Sequence, residues 1–270
     1  MDGTQASLSP SQLYDRLGTA RAPIVLDVRR AADFAAADRL IMSAAHRAPE
    51  GVAQWAKDVA GQSVVVYCVH GHQVSQGAAA ALRAAGVDAA YLDGGFAAWS
   101  DAGLPTRRKD AASPGKWVTR ERPKIDRIAC PWLVRRFIDP RAEFIYVPES
   151  RVLAVAKETG AIPYDIKGVE FGHVGERCSF DAIVRAHDIH DPALDGLAEI
   201  VRGADTGRHD LAPECDGLVA ISRGLSANFG DDHEQLGHGL VMYDALYTWC
   251  RGQVAEAKPS AGRPARQAAR

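Results

Sequence analysis

Hydrophobic positions in the first hundred residues follow two periods. "APIVLDV" and "SVVVYCV" are continuous apolar runs and predict buried strands. "DAAYLDGG" predicts a third strand, running into a glycine turn. Between residues 74 and 85, Val74, Ala78, Ala81, Leu82 and Ala85 fall on one stripe, which predicts a helix. "SPSQLYDRLG" predicts a short helix with Ser9 as N-cap and Pro10 in its first turn. "AADFAAAD", "GVAQWAKDVAG" (ended by Gly61) and "FAAWSDAG" predict three more. Apolar strands alternating with helices predict an α/β fold, a mainly parallel sheet flanked by helices.

The pattern breaks at "LPTRRKDAASPGK", where Pro, Gly, Ser and charge mix without a period. We divide the chain into a first domain at 1–106, a linker at 107–116, a second domain at 117–251 and a disordered tail at 252–270. The second domain reads as mostly α-helical (α+β). "AEFIYVP" is strand-like, and helices are predicted near 131–138, 149–159, 179–188, 192–204, 214–229 and 232–250. The tail lacks an apolar period.

Charge changes the picture locally. The net charge is −2, but residues 107–124 hold seven Lys and Arg against two acidic residues, and residues 125–250 hold 12 against 21. An acidic second domain makes nucleic acid an unexpected partner. No apolar run is long enough to span a membrane, and the polar N-terminus lacks a signal-like core, so a cytoplasmic location is expected. Five cysteines, widely spaced and without a C-x-x-C pair, read as reduced thiols.

One thiol has chemistry in its surroundings. Cys68 ends an apolar strand, and the loop Val69, His70, Gly71, His72 and Gln73 leads into the 74–85 helix. Ligands bind at the carboxyl ends of strands in such sheets. Amides of that loop, with the first turn of the helix, would surround the sulfur and favour the thiolate. The competing reading is a buried strand-end thiol. His70 and His72 either tune the thiolate or sit in solvent.

In the second domain, Pro131 suits the first turn of a helix, which puts Cys130 near an N-cap as a second candidate reactive thiol. Six of nine histidines lie between 173 and 238, among many carboxylates. That supply suits Zn, Fe or Mn. The candidate ligands are His173, Asp205 and His233, each near an element boundary. The competing reading is a solvated acidic face.

Two resemblances sharpen these expectations. Residues 8–106 resemble a single rhodanese domain through "VLDVR", "VVYCVHGHQVSQGAAAALRAAG" and "AYLDGGFAAWSDAGLPT". The resemblance implies a sulfurtransferase that carries sulfane sulfur as a Cys68 persulfide, without a cofactor. A sulfur donor and a thiol acceptor would be its partners, with Val69 to Gln73, Asp27 and Arg29 contacting substrate. Rhodaneses often have Arg where this chain has Gln73, and the usual Gly-His-Ile-Pro-Gly-Ala stretch is replaced by "DRLIMSAAH". Residues 117–251 resemble the C-terminal domain of ChrB-type chromate-resistance proteins through "WVTRERPKIDRIACPWLVRRFIDP", "FGHVGERCSFDAIVR", "EIVRGADT" and "DDHEQLGHGLVMYDALYTWCR". This implies a role in handling chromate or related oxidative stress. The alternative is a metal- or oxyanion-binding sensor whose rhodanese module only recognises a partner.

Overall fold

The computed structural model describes residues 7–109 and 115–257. The first half contains β1 (Ser7–Leu8), α1 (Pro10–Arg16), β2 (Ile24–Asp27), α2 (Ala31–Ala36), β3 (Arg39–Ile41), β4 (Ala45–His46), α3 (Val52–Trp55), β5 (Ser63–Tyr67), α4 (Gln73–Ala84), β6 (Asp88–Leu92) and α5 (Gly95–Asp101). A five-stranded parallel sheet has the order β1-β6-β5-β2-β4. Ser9 caps α1 in a capping box with Gln12, and Pro10 occupies its first turn.

Thr106–Arg108 form β7, which pairs antiparallel with β3. The stretch expected to be a linker therefore starts as a strand, because the unpaired β3 accepts it. The second half contains β8 (Lys116–Arg120), α6 (Asp126–Leu133), β9 (Glu143–Val147), α7 (Val152–Thr159), β10 (Ile162–Pro163), α8 (Ser179–Ala186), α9 (Pro192–Thr206), α10 (Cys215–Asn228) and α11 (Asp232–Ala257). β10-β8-β9 make a small parallel sheet, and the rest is mainly helical. Helix α11 continues through Ala257, so the expected tail begins as helix; residues 258–270 lie outside the described part.

Pro131 is not in a first turn. It is the sixth residue of α6, and Cys130 is inside the helix. Proline donates no N–H, so the carbonyl of Arg127 loses its helical partner. The hydroxyls of Tyr164 and Tyr146 donate to that oxygen instead, at 3.3 and 3.4 Å. A π-helical turn, Val134–Ile138, follows. Tertiary donors thus make tolerable a proline that local preference places elsewhere.

The main sheet has two different faces. Val64, Val66, Ala78, Leu82 and Trp55 form a core between the sheet and α3 and α4. On the other face, Leu8, Leu13, Leu17, Tyr67 and Trp99 belong to one core with Trp132, Phe137 and Tyr247 of the second half. Burying each large apolar side chain is worth roughly 2–3 kcal/mol, so the two halves stabilise one another. Polar bonds cross the same seam. Ser43 N–H donates to the Phe137 carbonyl at 2.6 Å, Tyr14 and Tyr247 hydroxyls donate to Asp191, and Arg39 pairs with Asp188 at 2.6 Å.

Gly18 lets the seam close. Its φ is +74°, and a Cβ there would lie 2.3 Å from Cε1 of Tyr247. Both backbone and space exclude a side chain. Gly18→Ala is expected to lower unfolding stability by about 3 kcal/mol, with both halves unfolding earlier in urea followed by circular dichroism. An unchanged midpoint would contradict a tight seam.

Candidate active site and candidate metal cluster

Cys68 follows β5 directly and is buried, with 7% of its surface exposed at the sheet's carboxyl rim. Its Sγ lies 3.2 Å from Oγ of Ser75, in the first turn of α4. Burial acts to raise the thiol pKa. The Ser75 hydroxyl and the backbone N–H groups of Ser75, His70 and His72 act against burial and prevail, so the pKa falls below the usual thiol value. Burial pushes the other four thiols up. Cys68 is the thiol of the chain whose surroundings favour the anion.

The loop geometry has a clear cause. The first-turn N–H groups of α5 reach across: Phe96 donates to the Cys68 carbonyl and Ala97 to the Val69 carbonyl, both at 2.9 Å. The Val69 carbonyl and the His70 N–H belong to one planar trans peptide unit, so they point oppositely. Holding that oxygen against α5 turns the hydrogen toward the sulfur. Gly71, Gly94 and Gly95 all have positive φ. A Cβ on Gly95 would lie 2.4 Å from both the Cys68 carbonyl oxygen and the Gly71 nitrogen. Glycine at 95 is therefore a condition of the cradle.

Among the loop residues, Gly71 is buried, Val69 is half-buried, and His70, His72 and Gln73 are exposed around the mouth. The imidazoles of His70 and His72 lie 6.0 Å apart. Asp27 and Arg29 depart from expectation. Their side chains are 0% and 3% exposed, and they pair with each other through Nε and Nη2 of Arg29. Tyr67 donates to Asp27, and the guanidinium packs 4.8 Å from the centroid of Phe96. Spent on one another, they are not available to substrate; they brace the residue that holds the loop. Ser75 is the contact that sequence reading missed. Its only signal was its place in the first turn after the loop.

Cys130 departs from the expectation of a thiol activated at an N-cap. It is 1% exposed, and burial, followed by the charge of Asp126, pushes its pKa well up. The helix continues on both sides of it, so no N-terminal amides reach the sulfur.

The second domain gathers a different set. Ligand atoms of Asp126, Asp165, His173 and Asp205 all lie within 4.8 Å of one another. Nε2 of His173 is 3.1 Å from Asp205, 3.2 Å from Asp165 and 3.5 Å from Asp126. Asp126 opens α6 and accepts the N–H groups of Ser179 and Phe180 at the start of α8. Asp165 follows β10 and accepts from Arg120, Arg127 and the Ser179 hydroxyl. Asp205 sits in the last turn of α9. Burial raises the Asp126 pKa to about 6, and the carboxylates, that of Asp126 first, push His173 up to about 12.

His173 and Asp205 were expected as ligands; Asp126 and Asp165 were not. His233 does not join them. It lies exposed at the start of α11, with its ring 5.5 Å from that of Tyr146. The cluster is drawn from positions 126 to 205, so no local spacing reveals it.

Comparison with known proteins agrees with both halves. Residues 9–102 match the rhodanese-like domain, and residues 117–250 match the ChrB C-terminal domain. The chain thus carries a rhodanese-like domain followed by a ChrB C-terminal domain. It is 32% identical over 146 residues to Protein ChrB of Cupriavidus metallidurans. That match covers 54% of this chain and 44% of the relative, so the chain spans less than half the relative's length. Among solved structures it is similar to a rhodanese-related protein from Thermoplasma volcanium, with TM-score 0.33, 23% identity, and coverage of 38% of this chain and 97% of that one. It is also similar to a thiosulfate sulfurtransferase from Pseudomonas aeruginosa, with TM-score 0.31, 30% identity, and coverage of 37% and 19%. No helix among the described residues is long and apolar enough to cross a membrane.

The cradle makes a measurable claim about ionisation. Because the folded Cys68 pKa lies below the unfolded value, the cradle favours folding while the thiol is ionised. That contribution is lost as pH falls through the folded pKa. Ser75→Ala is expected to raise the Cys68 pKa, because the hydroxyl that opposes burial is lost. The pH dependence of iodoacetamide labelling, read on the peptide holding Cys68, measures it. Identical profiles for parent and variant would remove Ser75 from the site.

Proposed function

We propose that the chain is a sulfurtransferase with Cys68 as carrier of sulfane sulfur. The observation that carries this reading is the place of Cys68 at the carboxyl end of β5, its Sγ 3.2 Å from Oγ of Ser75 and facing the N–H groups of His70, His72 and Ser75, which together hold its pKa below the usual thiol value. The Cys68 thiolate attacks the outer sulfur of a donor such as thiosulfate. A new S–S bond forms, and the old one breaks with its electron pair leaving on sulfite. The resulting persulfide bears a terminal negative charge, which the same N–H groups stabilise. An acceptor thiolate then attacks that terminal sulfur, and the Cys68 thiolate returns. No cofactor enters either step. His70, His72 and Gln73 frame the mouth; the neutral amide at 73 gives no fixed charge to thiosulfate, so a persulfide donor suits the site equally.

Cys68→Ser is expected to abolish sulfur transfer and to remove the mass increase of one sulfur on its peptide after exposure to thiosulfate or a persulfide. Comparable transfer by parent and variant would end this reading.

A second reading concerns the other domain, and the four-residue cluster favours it. Asp126, Asp165, His173 and Asp205 would hold a divalent transition-metal ion. Three carboxylates with one imidazole suit Mn or Fe, and Zn accepts the same donors. Each carboxylate meets donors outside the cluster or sits on a fixed helix turn, which orients it inward. Ile125, which precedes Asp126, and Asp165, itself in the cluster, hold positive φ of 42° and 51°. Such strain persists where the surroundings impose it. A metal-holding module beside a sulfur carrier is consistent with a role in chromate or related oxyanion stress, the role proposed for the chain.

The expected result is one Mn, Fe or Zn per chain by elemental mass spectrometry of the full-length protein, falling by about tenfold in occupancy in Asp126→Asn. Parent protein free of metal after incubation with each ion and desalting would count against the centre.

A further inference from the structure

A cavity of about 330 Å³ lies at the seam, away from both sites. On one side are Leu40, Ser43 and the edge of the main sheet; on the other is the turn Ile138–Arg141. The two-residue β4 pairs only with Leu26 and Asp27, so Ile24 and Val25, bonded to β5 on one edge, have no strand of the described residues on their other edge and line the cavity. Val59 and Ile138 add apolar surface, and Asp58 and Asp139 stand on the same lining.

Arg107 of β7 lines this cavity and is 6% exposed. Its Nη2 donates to the Ala44 carbonyl and its Nη1 to the Arg108 carbonyl, while its Nε has no partner. No ion pair joins it to a carboxylate within 4.0 Å among the described residues. Arg47, on the same lining, already pairs with Asp58 at 3.7 Å. The charge of Asp139, on the same lining, acts on Arg107 without an ion pair within 4.0 Å. A buried guanidinium whose only direct partners are neutral carbonyls is destabilising unless an anion meets it. Ser43 lines the same cavity. It is 5% exposed, its Oγ has no partner, and its φ of 61° is rare for a residue with a side chain. Two unsatisfied polar groups on two elements thus border one cavity.

We propose that this cavity is a binding site for a small organic anion, its charged head on Arg107 and Ser43 and its apolar body against Leu40, Val59 and Ile138. The head is a carboxylate, sulfonate or phosphate, since each presents oxygens to a guanidinium fork. The volume and apolar walls select an organic body over a bare inorganic ion. Because the lining comes from both halves, an occupant tightens the seam between the sulfur-carrier domain and the second domain. Its test does not depend on sulfur transfer or on a metal.

Benzoate, phenyl phosphate and benzenesulfonate serve as probes with the full chain, with benzamide as the neutral isostere of benzoate. Isothermal titration is expected to show one site per chain for at least one anion at millimolar concentration, and a melting temperature that rises with its concentration. Benzamide is expected to bind at least about tenfold more weakly. Comparing the three heads identifies which oxygen geometry the fork prefers, and inorganic phosphate and sulfate are expected to bind more weakly than the organic anions. Arg107→Met should lose the anion while melting no lower than the parent, since it removes an unpaired buried charge. If that variant fails to fold, Arg107→Lys and Ser43→Ala carry the test, each weakening the anion by about threefold or more. The proposal is overturned by equal affinity for benzoate and benzamide, by absence of binding for all three organic anions, by tighter binding of the inorganic ions, or by variants that bind as the parent does.

Discussion

The chemistry at Cys68 depends on two hydrogen bonds that do not touch the sulfur. Phe96 and Ala97 hold the carbonyls of Cys68 and Val69 against the start of α5. Planar peptides then leave N–H groups facing inward. The thiol is buried, which by itself would keep it protonated, and the cradle reverses that sign. The buried Asp27–Arg29 pair, the Tyr67 hydroxyl and the ring of Phe96 brace α5 from behind. A buried ion pair is a weak source of net stability, but removing one partner leaves a stranded charge. Its value here is positional.

The same contrast separates the five thiols. All are buried, and in the four other than Cys68 burial outweighs the few backbone hydrogen bonds they have, so it pushes their pKa values up. What distinguishes Cys68 is the direction of neighbouring dipoles rather than exposure.

The two halves share one apolar core, and β7 leaves the first half while still bonded to it. Gly18 against Tyr247 and Ser43 against Phe137 bring the surfaces close. Arg107 sits where that closure is imperfect, with part of its hydrogen-bonding capacity unused. The cluster around His173 lies wholly in the second half, with its carboxylates fixed by the N-terminus of α8, by Arg120 and Arg127, and by the end of α9.

Much of this was legible in the chain itself. Hydrophobic period placed β2, β5, β6, α1, α4 and the long helices of the second half, because burial of an apolar face is a local pattern read at 2 or 3.6 residues. Cys68, with its glycine loop ahead of a helix, was legible for the same reason: strand, loop and helix are contiguous. Short strands such as β4 and β7 were not, since two or three residues have no period and exist only because a partner edge is free. Pro131 was misplaced because its stability inside α6 rests on tyrosines far along the chain. Asp27 and Arg29 looked like substrate contacts until folding turned them toward each other. Asp126 and Asp165 were invisible as ligands because nothing near them in sequence marks them. The sequence by itself determined which segments bury and which thiol stands between a strand end and a helix start, since those follow from neighbours along the chain. Which carboxylates meet at His173, and which arginine is left without a carboxylate in ion-pair reach, only the tertiary structure decided, because electrostatic partners are chosen by distance in space.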